Sequence, residues 1–533
     1  MIKLEMMPPL MFGGLVVSML IGFPVAFTLA AVGLSFGFLA IHLGFFDLNF
    51  LQAIPGRVFG SVLSNELLLA IPFFTFMGTI LERCGLAEDM LDSMGQLFGP
   101  IRGGLGYSVI IVGFILGAIT GTVAAQVIAM ALISMPVMIR YGYNMRYITG
   151  VLAASGTITQ LVPPSLVLIV LADQLGKSVG DMYLGAWGPS VFQIVLFASY
   201  TFLLGLFKPD HVPPVPKEAR TLTGWALWKK CLLGIIPSAV LIFVVLGTMM
   251  MGLATPTEAG AMGAVGAAVL AAIHNKEFTA TGRKVLVLGI IAGGIGTIIG
   301  IFLTEGLIFK AAFAVTYLAV VWICGEAVRI PELRDLIKQG YETTMRITTM
   351  VVFILIGSTC FSVVFLGVSG GVWLEHMLTS LPGGVWGFLI FINLFIFFLA
   401  FFLDFFEIAF IILPMIAPIA QKILTPVVGA DAALIWFGVM LCVNMQTSFM
   451  HPPFGFALFY LRGVAPKEVK SSDIYWGALP WVGLQMIMVA LVIAFPVTVT
   501  ALLDKPANVD LNQIKIDVPQ MDLPPLDFGQ PKQ

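Results

Sequence analysis

Two long apolar segments of this chain are interrupted by the same pattern, a polar patch followed by a Pro-Pro pair. Residues 151–165 read VLAASGTITQLVPPS, and residues 440–454 read MLCVNMQTSFMHPPF. Each segment follows another apolar run with polar residues near its middle, AITGTVAAQ at 118–126 and FLDFFE at 402–407. Matching breaks in the two halves of an apolar chain are typical of the binding sites of secondary transporters. The pattern therefore predicts a duplicated membrane fold.

The composition supports a membrane-embedded chain. Of the 533 residues, 59% are hydrophobic and 11% are charged, whereas soluble domains carry about a quarter charged residues. The formal net charge of −2 gives no indication of a nucleic-acid-binding surface. The five cysteines are scattered without the spacing of a metal site.

Apolar runs of about 20 residues are needed to cross a bilayer. On this criterion the sequence predicts an all-α membrane protein with about 12 transmembrane helices. The runs that give this number are 9–46 (two spans), 66–82, 147–173, 186–207, 231–273 (two), 285–328 (two), 347–368, 433–461 and 474–502. The runs 104–141 and 384–420 have polar residues at their middles and are interpreted as re-entrant hairpins, which enter and leave on one side.

The distribution of lysine and arginine predicts the orientation. If both hairpins return to the side they entered from, most of the 27 basic residues fall on one face, and the positive-inside rule makes that face cytoplasmic. Both termini are then expected outside, in the periplasm. The first hairpin would enter from the cytoplasm and the second from outside, so the halves would be inverted repeats.

The expected domain organisation follows the repeat. A transport domain would contain both hairpins and both broken helices, and a scaffold would surround it. The expected segments are scaffold helices at 1–103, the first hairpin and broken helix at 104–173, scaffold helices and cytoplasmic loops at 174–383, the second hairpin and broken helix at 384–461, the last helix at 462–502 and a disordered tail at 503–533.

Polar residues at the four breaks are the candidate ligands. A broken helix leaves backbone groups unpaired in hydrocarbon; half-helix N-termini attract anions, and freed carbonyls and hydroxyls suit Na⁺. These hard oxygen ligands favour Na⁺ over a transition metal, although each hydroxyl has the alternative of bonding only to its own helix. The residues are Thr120, Gly121, Thr122 and Gln126; Ser155, Gly156, Thr157, Thr159 and Gln160; Asp404 and Glu407; and Asn444, Gln446, Thr447 and Ser448.

Asp404 is the strongest single candidate, because an acidic residue inside a membrane segment usually marks a functional site. When the two halves are aligned on the prolines that follow, its counterpart is Gln126, so the site is electrostatically asymmetric. The alternative is an acid that caps a half-helix. Glu407, one helical turn further on, is either a neutral acid or a second ligand. Glu258, in TPTEAG, is interpreted as a helix cap.

Catalytic and nucleotide-binding motifs are absent from the sequence, including Walker A, HExxH and a glycine-rich dinucleotide loop. The chain is therefore not expected to be an enzyme or to use ATP. Its driving force is expected to be an ion gradient or a partner.

These residues resemble the large membrane subunit of tripartite ATP-independent periplasmic (TRAP) transporters over nearly the whole chain. The resemblance is carried by LLLAIPFFTFMG at 67–78, GAITGT at 117–122, SGTITQLVPPS at 155–165, ATPTEAG at 254–260, FFLDFFEIAFIILP at 401–414 and NMQTSFMHPPFGFALFYLRGVAP at 444–466. It implies an elevator-type carrier in the bacterial inner membrane, driven by Na⁺. It also implies a separate small membrane subunit and a periplasmic substrate-binding protein that delivers an organic anion.

The resemblance implies at least two Na⁺ sites, each between a hairpin tip and a broken helix. The first would comprise Thr120, Gly121, Thr122, Ser155, Gly156, Thr157 and Pro163, and the second Asp404, Asn444, Thr447 and Pro452. A substrate carboxylate is expected near Thr120, Thr122, Gln126, Thr159, Asp404, Gln446 and Ser448. Relatives often have Ser-Gly-Ser at the first tip, where this chain has Thr-Gly-Thr. The added methyl groups are expected to narrow the substrate cavity there. The expected substrates are 2-oxo acids, hydroxy acids or related compounds.

Other functions remain open at this stage. A stand-alone Na⁺- or H⁺-coupled carboxylate carrier would share the fold but need no binding protein. A membrane enzyme would use Asp404, Glu407 and His451 as acid and base groups, but the catalytic motifs for it are missing. A channel is disfavoured, because the predicted re-entrant segments are paired and inverted rather than arranged around one pore.

Overall fold

The computed structural model describes residues 3–216, 224–275, 330–401, 403–452 and 455–503, together with short stretches and single residues between 218 and 329. Within these residues all regular secondary structure is helical. By length and composition, eight of these helices can cross a membrane, or up to 11 spans are present if each of three bent helix pairs forms one. The predicted all-α membrane fold is confirmed. The span count, the inverted orientation and the division into scaffold and transport domains stay predictions.

The chain begins with a helical pair, as the sequence predicts for 9–46. Helix α1 covers Met7–Leu20 and α2 covers Val25–His42. Gly22 between them has a φ of 91°, a conformation that favours glycine. The next helices are α3 (Ala53–Arg57), α4 (Ala70–Arg83) and α5 (Leu86–Phe98).

The first predicted hairpin and the first predicted broken helix are each formed by two helices. The hairpin consists of α6 (Gly104–Thr120) and α7 (Val123–Arg140). The broken helix consists of α8 (Met145–Thr157), a 3₁₀ turn (Ile158–Gln160) and α9 (Leu166–Leu175), with the Pro163-Pro164 pair in the break. Helix α10 (Val179–Phe207) follows.

The middle of the chain contains α11 (Gly224–Met250), α12 (Pro256–His274), α13 (Pro331–Gly367) and α14 (Gly370–Thr379). At the start of α12, the Thr255 hydroxyl accepts from the Glu258 N–H at 3.3 Å, and the Glu258 carboxylate accepts from the Thr255 N–H at 2.8 Å. Glu258 is therefore a helix cap, as the sequence predicts. The predicted spans at 285–328 lie mostly outside the described residues, and the predicted tail beyond Leu503 lies wholly outside them.

The second half repeats the order of the first. A hairpin, α15 (Gly384–Leu399) with α16 (Phe405–Ile411) and α17 (Leu413–Val428), precedes a broken helix, α18 (Ala430–Met445) with a 3₁₀ turn (Gln446–Phe449) and α19 (Phe456–Val464). Helices α20 (Ser471–Ala494) and α21 (Val497–Thr500) end the described chain.

A kink distinguishes the second hairpin from the first, because α16 and α17 meet at an angle of 64°. Pro414 stands in the first turn of α17 and has no N–H to donate to the carbonyl of Phe410. The hydroxyl of Ser358, from α13, donates to that carbonyl instead. The matching Pro136 lies inside α7, which stays one helix.

The two halves pack reciprocally. Helix α9, from the first broken helix, contacts α16 and α17 of the second hairpin, and α19, from the second broken helix, contacts α7 of the first hairpin. A reciprocal exchange of this kind is what a two-fold relation between similar units produces. It places both breaks in one buried core.

Candidate functional site

The first hairpin is closed at both ends. Its tip is Gly121, with a φ of 62°, followed by Thr122 in an extended conformation. At the opposite end from the tip, where α6 begins and α7 ends, the N–H of Leu105 donates to the hydroxyl of Tyr143 at 3.3 Å. Between them, the Gln126 amide of α7 donates to the carbonyl of Gly113 in α6 at 2.6 Å. The two arms therefore run back alongside each other, as a re-entrant hairpin requires.

Small residues let this hairpin approach the first broken helix closely. A Cβ at Gly113 would lie 2.7 Å from the Cβ of Ser155, and a Cβ at Gly117 would lie 3.2 Å from the Cα of Thr159. Gln126 adds a second hydrogen bond, from its amide to the carbonyl of Ser155 at 2.9 Å. The structure thus brings the first hairpin and the first break together, as predicted, and makes Gln126 the link between them.

Hydroxyls at the first break donate their protons to their own helix. Ser155 donates to the Leu152 carbonyl at 3.1 Å, Thr157 to Ala154 at 2.9 Å and Thr159 to Gly156 at 2.9 Å. This is the local bonding that the alternative interpretation predicts. A hydroxyl bonded in this way keeps its lone pairs outside the helix, so the same geometry also suits a cation ligand.

The helices that begin at the first tip and the first break differ in how they start. Ser165 caps α9 by accepting from the N–H groups of Val167 and Leu168 at 3.1 and 3.4 Å. Thr122 stands at the N-cap of α7 but makes no side-chain cap hydrogen bond. The side chain of Thr120, a predicted ligand, lies outside the described residues. Within the described residues, α7 therefore lacks the N-cap side-chain hydrogen bond that α9 has.

At the second tip, Asp404 and Glu407 form a reciprocal capping box. The Asp404 carboxylate accepts from the Glu407 N–H at 2.9 Å, and the Glu407 carboxylate accepts from the Asp404 N–H at 2.9 Å. The helix-cap interpretation of Asp404 is thus confirmed, and Glu407 shares that role. The cap hydrogen bond is accepted by Oδ1 of Asp404. The role of this carboxylate as a cation ligand stays a prediction.

The second broken helix is fastened to the second hairpin by an asparagine pair. The Asn444 amide donates to the Asn393 carbonyl at 2.8 Å and to the Asn393 side-chain oxygen at 3.0 Å. Thr447 and Ser448 donate to the carbonyls of Asn444 and Met445, both at 2.7 Å. Near the tip, the His451 ring stacks on Phe401 with centroids 4.0 Å apart. The second tip and the second break therefore also lie together, as predicted.

The two breaks touch each other. The Thr157 hydroxyl lies 3.8 Å from the Met450 sulfur, and the Cys442 thiol donates to the Gln160 carbonyl at 3.2 Å. The side chain of Gln446, a predicted substrate ligand, points to two further glutamines rather than to a hairpin tip: Gln193 and Gln485 donate to its oxygen at 3.0 and 3.4 Å. These contacts thus join the two breaks to each other and to the hairpins of their own halves, in one polar region.

Comparison with known proteins assigns the chain to a family. Residues 12–498 match the model of the family described as tripartite ATP-independent periplasmic transporter, DctM component. The chain belongs to this family. The membership predicted from the sequence motifs is confirmed, and the family is one of transporter permeases.

Relatives of this DctM-family chain carry different substrate names. It is 25% identical to the C4-dicarboxylate TRAP transporter large permease protein DctM of Vibrio cholerae, over 90% of this chain and 93% of that protein. It is 24% identical to the 2,3-diketo-L-gulonate TRAP transporter large permease protein YiaN of Escherichia coli K12, over 89% and 93%. It is 22% identical to the isethionate TRAP transporter permease protein DctMQ of Oleidesulfovibrio alaskensis, over 87% and 61%.

Among solved structures, the YdaH transporter of Alcanivorax borkumensis matches 83% of this chain and 87% of its own, with 16% identity and a TM-score of 0.49.

Sequence reasoning about this DctM-family chain missed three residues of the region, Asn393, Gln193 and Gln485. Each is a lone amide within an apolar helix and is at most 3% exposed. A polar residue inside a membrane segment is the one signal that could have found them. Their partners come from other helices, so no local motif marks them.

Proposed function

We propose that this TRAP permease uses an inward Na⁺ gradient to drive uptake of a small organic carboxylate across the bacterial inner membrane by an elevator movement. The observation that supports this most directly is the pairing of each hairpin with a break. Gln126 joins the first hairpin to the first break, and Asn393 pairs with Asn444 at the second. Paired, contacting breaks in a membrane protein are the architecture of an ion-coupled binding site.

The available ligand chemistry favours Na⁺. Among the described residues, no group of three or more His, Cys, Asp or Glu side chains is placed to hold a metal ion. The donors at the breaks are hydroxyls, amide oxygens, freed helix carbonyls and the Asp404 carboxylate, which are hard oxygen ligands. One site would lie between the Gly121 tip and residues 155–163, and the other between Asp404 and Asn444, Thr447 and Pro452.

The uncapped N-terminus of α7 supports an anionic substrate. Its N-cap residue Thr122 makes no side-chain cap hydrogen bond within the described residues, whereas Ser165 caps α9 and Asp404 caps α16. A substrate carboxylate at Thr122 would accept those N–H groups. The substrates in the names of the three relatives are also organic anions. We assign the 2-oxo and hydroxy acids as the first class to test.

Charge gives the order of binding. An ionised Asp404 at the second tip repels a carboxylate in the low-dielectric core, and Na⁺ bound there removes the repulsion. We therefore expect Na⁺ to bind before the substrate. The first tip has no acid, since Gln126 takes the place of Asp404 there.

The tripartite description of the family supports two partners for this chain, a small membrane subunit and a periplasmic substrate-binding protein. We propose both as separate chains, with the binding protein delivering the substrate to the outer face. The competing function is a stand-alone Na⁺- or H⁺-coupled carrier, which would transport without a binding protein.

Uptake into proteoliposomes tests the proposal. The chain and its small subunit are reconstituted, and labelled pyruvate is offered with or without an inward Na⁺ gradient and with or without the binding protein. We expect uptake only when both the gradient and the binding protein are present. Uptake without the binding protein would favour the stand-alone carrier, and uptake that ignores Na⁺ would refute sodium coupling. C4-dicarboxylate and 2,3-diketogulonate serve as alternative substrates if pyruvate is not transported.

A further inference from the structure

Three buried glutamines form a polar cluster behind the two breaks. Gln193 lies in α10, Gln446 begins the second 3₁₀ turn and Gln485 lies in α20, and each is 0% exposed. Helices α10 and α20 are long enough and apolar enough to cross a membrane. The cluster is therefore a polar group of side chains inside a membrane-embedded core.

Gln485 is the member that reaches both breaks. Its amide donates to the Thr157 hydroxyl, at the end of α8, at 2.9 Å, and to the Gln446 oxygen at 3.4 Å. The Met450 sulfur lies 3.7 Å from the same nitrogen. Gln193, in contrast, hydrogen-bonds only to Gln446 among the described residues, at 3.0 Å. One side chain thus joins the last residue before the first turn to the first residue of the second turn.

Stability alone does not explain the cluster. Gln193 Oε1, Gln446 Nε2 and Gln485 Oε1 are buried without a protein hydrogen-bond partner in the described part of the chain. Leaving such a group unpaired costs about 1–3 kcal/mol. Reversing an amide exchanges which atom is left over but adds no partner. Apolar side chains of similar size would avoid this cost, so the glutamines have a role other than packing.

The positions of Thr157 and Gln446 indicate that role. Thr157 lies directly before the turn of the first proposed ion site, and Gln446 lies between Asn444 and Thr447 of the second. An ion that orders one turn also fixes the Gln485 amide. Ordering the other turn then loses less conformational freedom, which makes the second ion bind more readily.

We propose that Gln485 is a positioning residue that couples the two Na⁺ sites, so that Na⁺ at either break favours Na⁺ at the other. This inference rests on the proposed sodium coupling. It predicts positive cooperativity in the wild type that depends on one side chain. Gln193, whose described hydrogen bond goes to the second break, is the matched control.

The test is a Na⁺ titration of uptake and of thermal stability, with wild type, Gln485→Met and Gln193→Met. We expect a Hill coefficient well above 1 in the wild type, a fall towards about 1 in Gln485→Met, and no change in Gln193→Met. If Gln485→Met does not fold, Gln485→Asn keeps the amide but is too short to reach both partners.

Three results would overturn the coupling. An unchanged Hill coefficient in a folded Gln485 variant would do so, as would an equal fall in both variants, since that would indicate a purely structural cluster. A wild-type coefficient of about 1 would also contradict coupled sites. Uptake that does not depend on Na⁺ in the wild type would instead refute the proposed function itself, so the two failures are distinguishable.

Discussion

The two hairpins come from the same sequence pattern but differ in mechanical character. The first is closed by Gln126, which bonds to Gly113 across the arms and to Ser155 in the broken helix. The second is kinked by 64° between α16 and α17, and both of its arms line an apolar cavity of about 190 Å³ together with α1, α13 and α14. We therefore expect the first hairpin to be the more rigid one and the second to have room to move.

The difference originates in two aligned pairs of residues. Gln126 has two hydrogen-bond partners in neighbouring backbone, while Asp404 at the matching position caps its own helix. Pro136 lies within α7, which stays one helix. Pro414 lies at the kink between α16 and α17, where the Phe410 carbonyl accepts from the Ser358 hydroxyl instead of from a helix N–H. The acid Asp404 and the kink suit the second hairpin to act as a gate that responds to a cation. The neutral Gln126, which holds the arms of the first hairpin together, suits a site that stays fixed.

Neutralising the second tip is expected to have the largest effect. Asp404→Asn keeps an N-cap side chain but loses the charge, so it should raise the half-saturating Na⁺ concentration about 10- to 100-fold without loss of fold. Glu407→Gln, at the other half of the capping box, should change it less than about threefold. Na⁺-dependent uptake measures both, and equal effects of the two variants would contradict the assignment of Asp404.

The second-largest effect is expected from removing the two Gln126 hydrogen bonds that hold the first hairpin. Gln126→Met fills the same space but loses two hydrogen bonds, which should lower the free energy of unfolding by about 2 kcal/mol and uptake by about tenfold. Gln421→Met, in the second arm of the second hairpin, removes a half-exposed amide that bonds to Thr425 and Ala430, and should have little effect. Thermal unfolding and uptake are both measured. Similar losses in the two variants would mean that the hairpins do not differ as proposed.

Disturbing the close packing of the first hairpin on the first broken helix should have a smaller effect on stability. In Gly113→Ala the new Cβ would meet Ser155 at 2.7 Å, so the variant should lose about 1–2 kcal/mol of stability. Gly463→Ala in α19, where nothing lies within 4 Å of the new Cβ, should gain up to about 1 kcal/mol. Thermal unfolding in detergent compares them. A neutral Gly113→Ala would show that the first hairpin is not held tightly.

Filling the cavity of the second hairpin should have the smallest effect. Leu378 lies in α14 and lines the 190 Å³ cavity together with the hairpin arms. Leu378→Phe places a larger side chain in that space, which should leave stability within about 1 kcal/mol of wild type and slow uptake about two- to threefold by restricting the arms. Leu394→Phe, on the exposed side of the second hairpin, is the control and should transport normally. Unchanged uptake in Leu378→Phe would indicate that the arms do not need this space.

Much of the fold follows from local signals in the sequence. The Pro-Pro pairs can neither continue a helix nor donate to it, so both breaks are predictable from Pro163 and Pro452. The tip at Gly121 is predictable from a glycine between two threonines within an apolar run, and the cap at Glu258 from its spacing to Thr255. Each of these features depends only on neighbouring residues.

The rest of the site depends on contacts between distant segments. Nothing local indicates that Gln126 bonds to Ser155, 29 residues away, or that Asn393 pairs with Asn444. The Thr157 hydroxyl, expected at the first Na⁺ site, accepts from Gln485 of the second half. Sequence patterns place a residue on a helix, but the packing of helices decides which neighbour it meets.

The most direct test of the account is the distance between the arms of each hairpin, measured by electron paramagnetic resonance on spin-labelled protein in nanodiscs. With the five native cysteines replaced, one variant carries labels at Phe114 and Leu132 on the first hairpin, and another at Ile390 and Lys422 on the second. Each is measured without Na⁺, with Na⁺, and with Na⁺ plus substrate. We predict one unchanged distance distribution for the first pair and a shift for the second when Na⁺ is added. A shift in the first pair, or none in the second, would contradict the account.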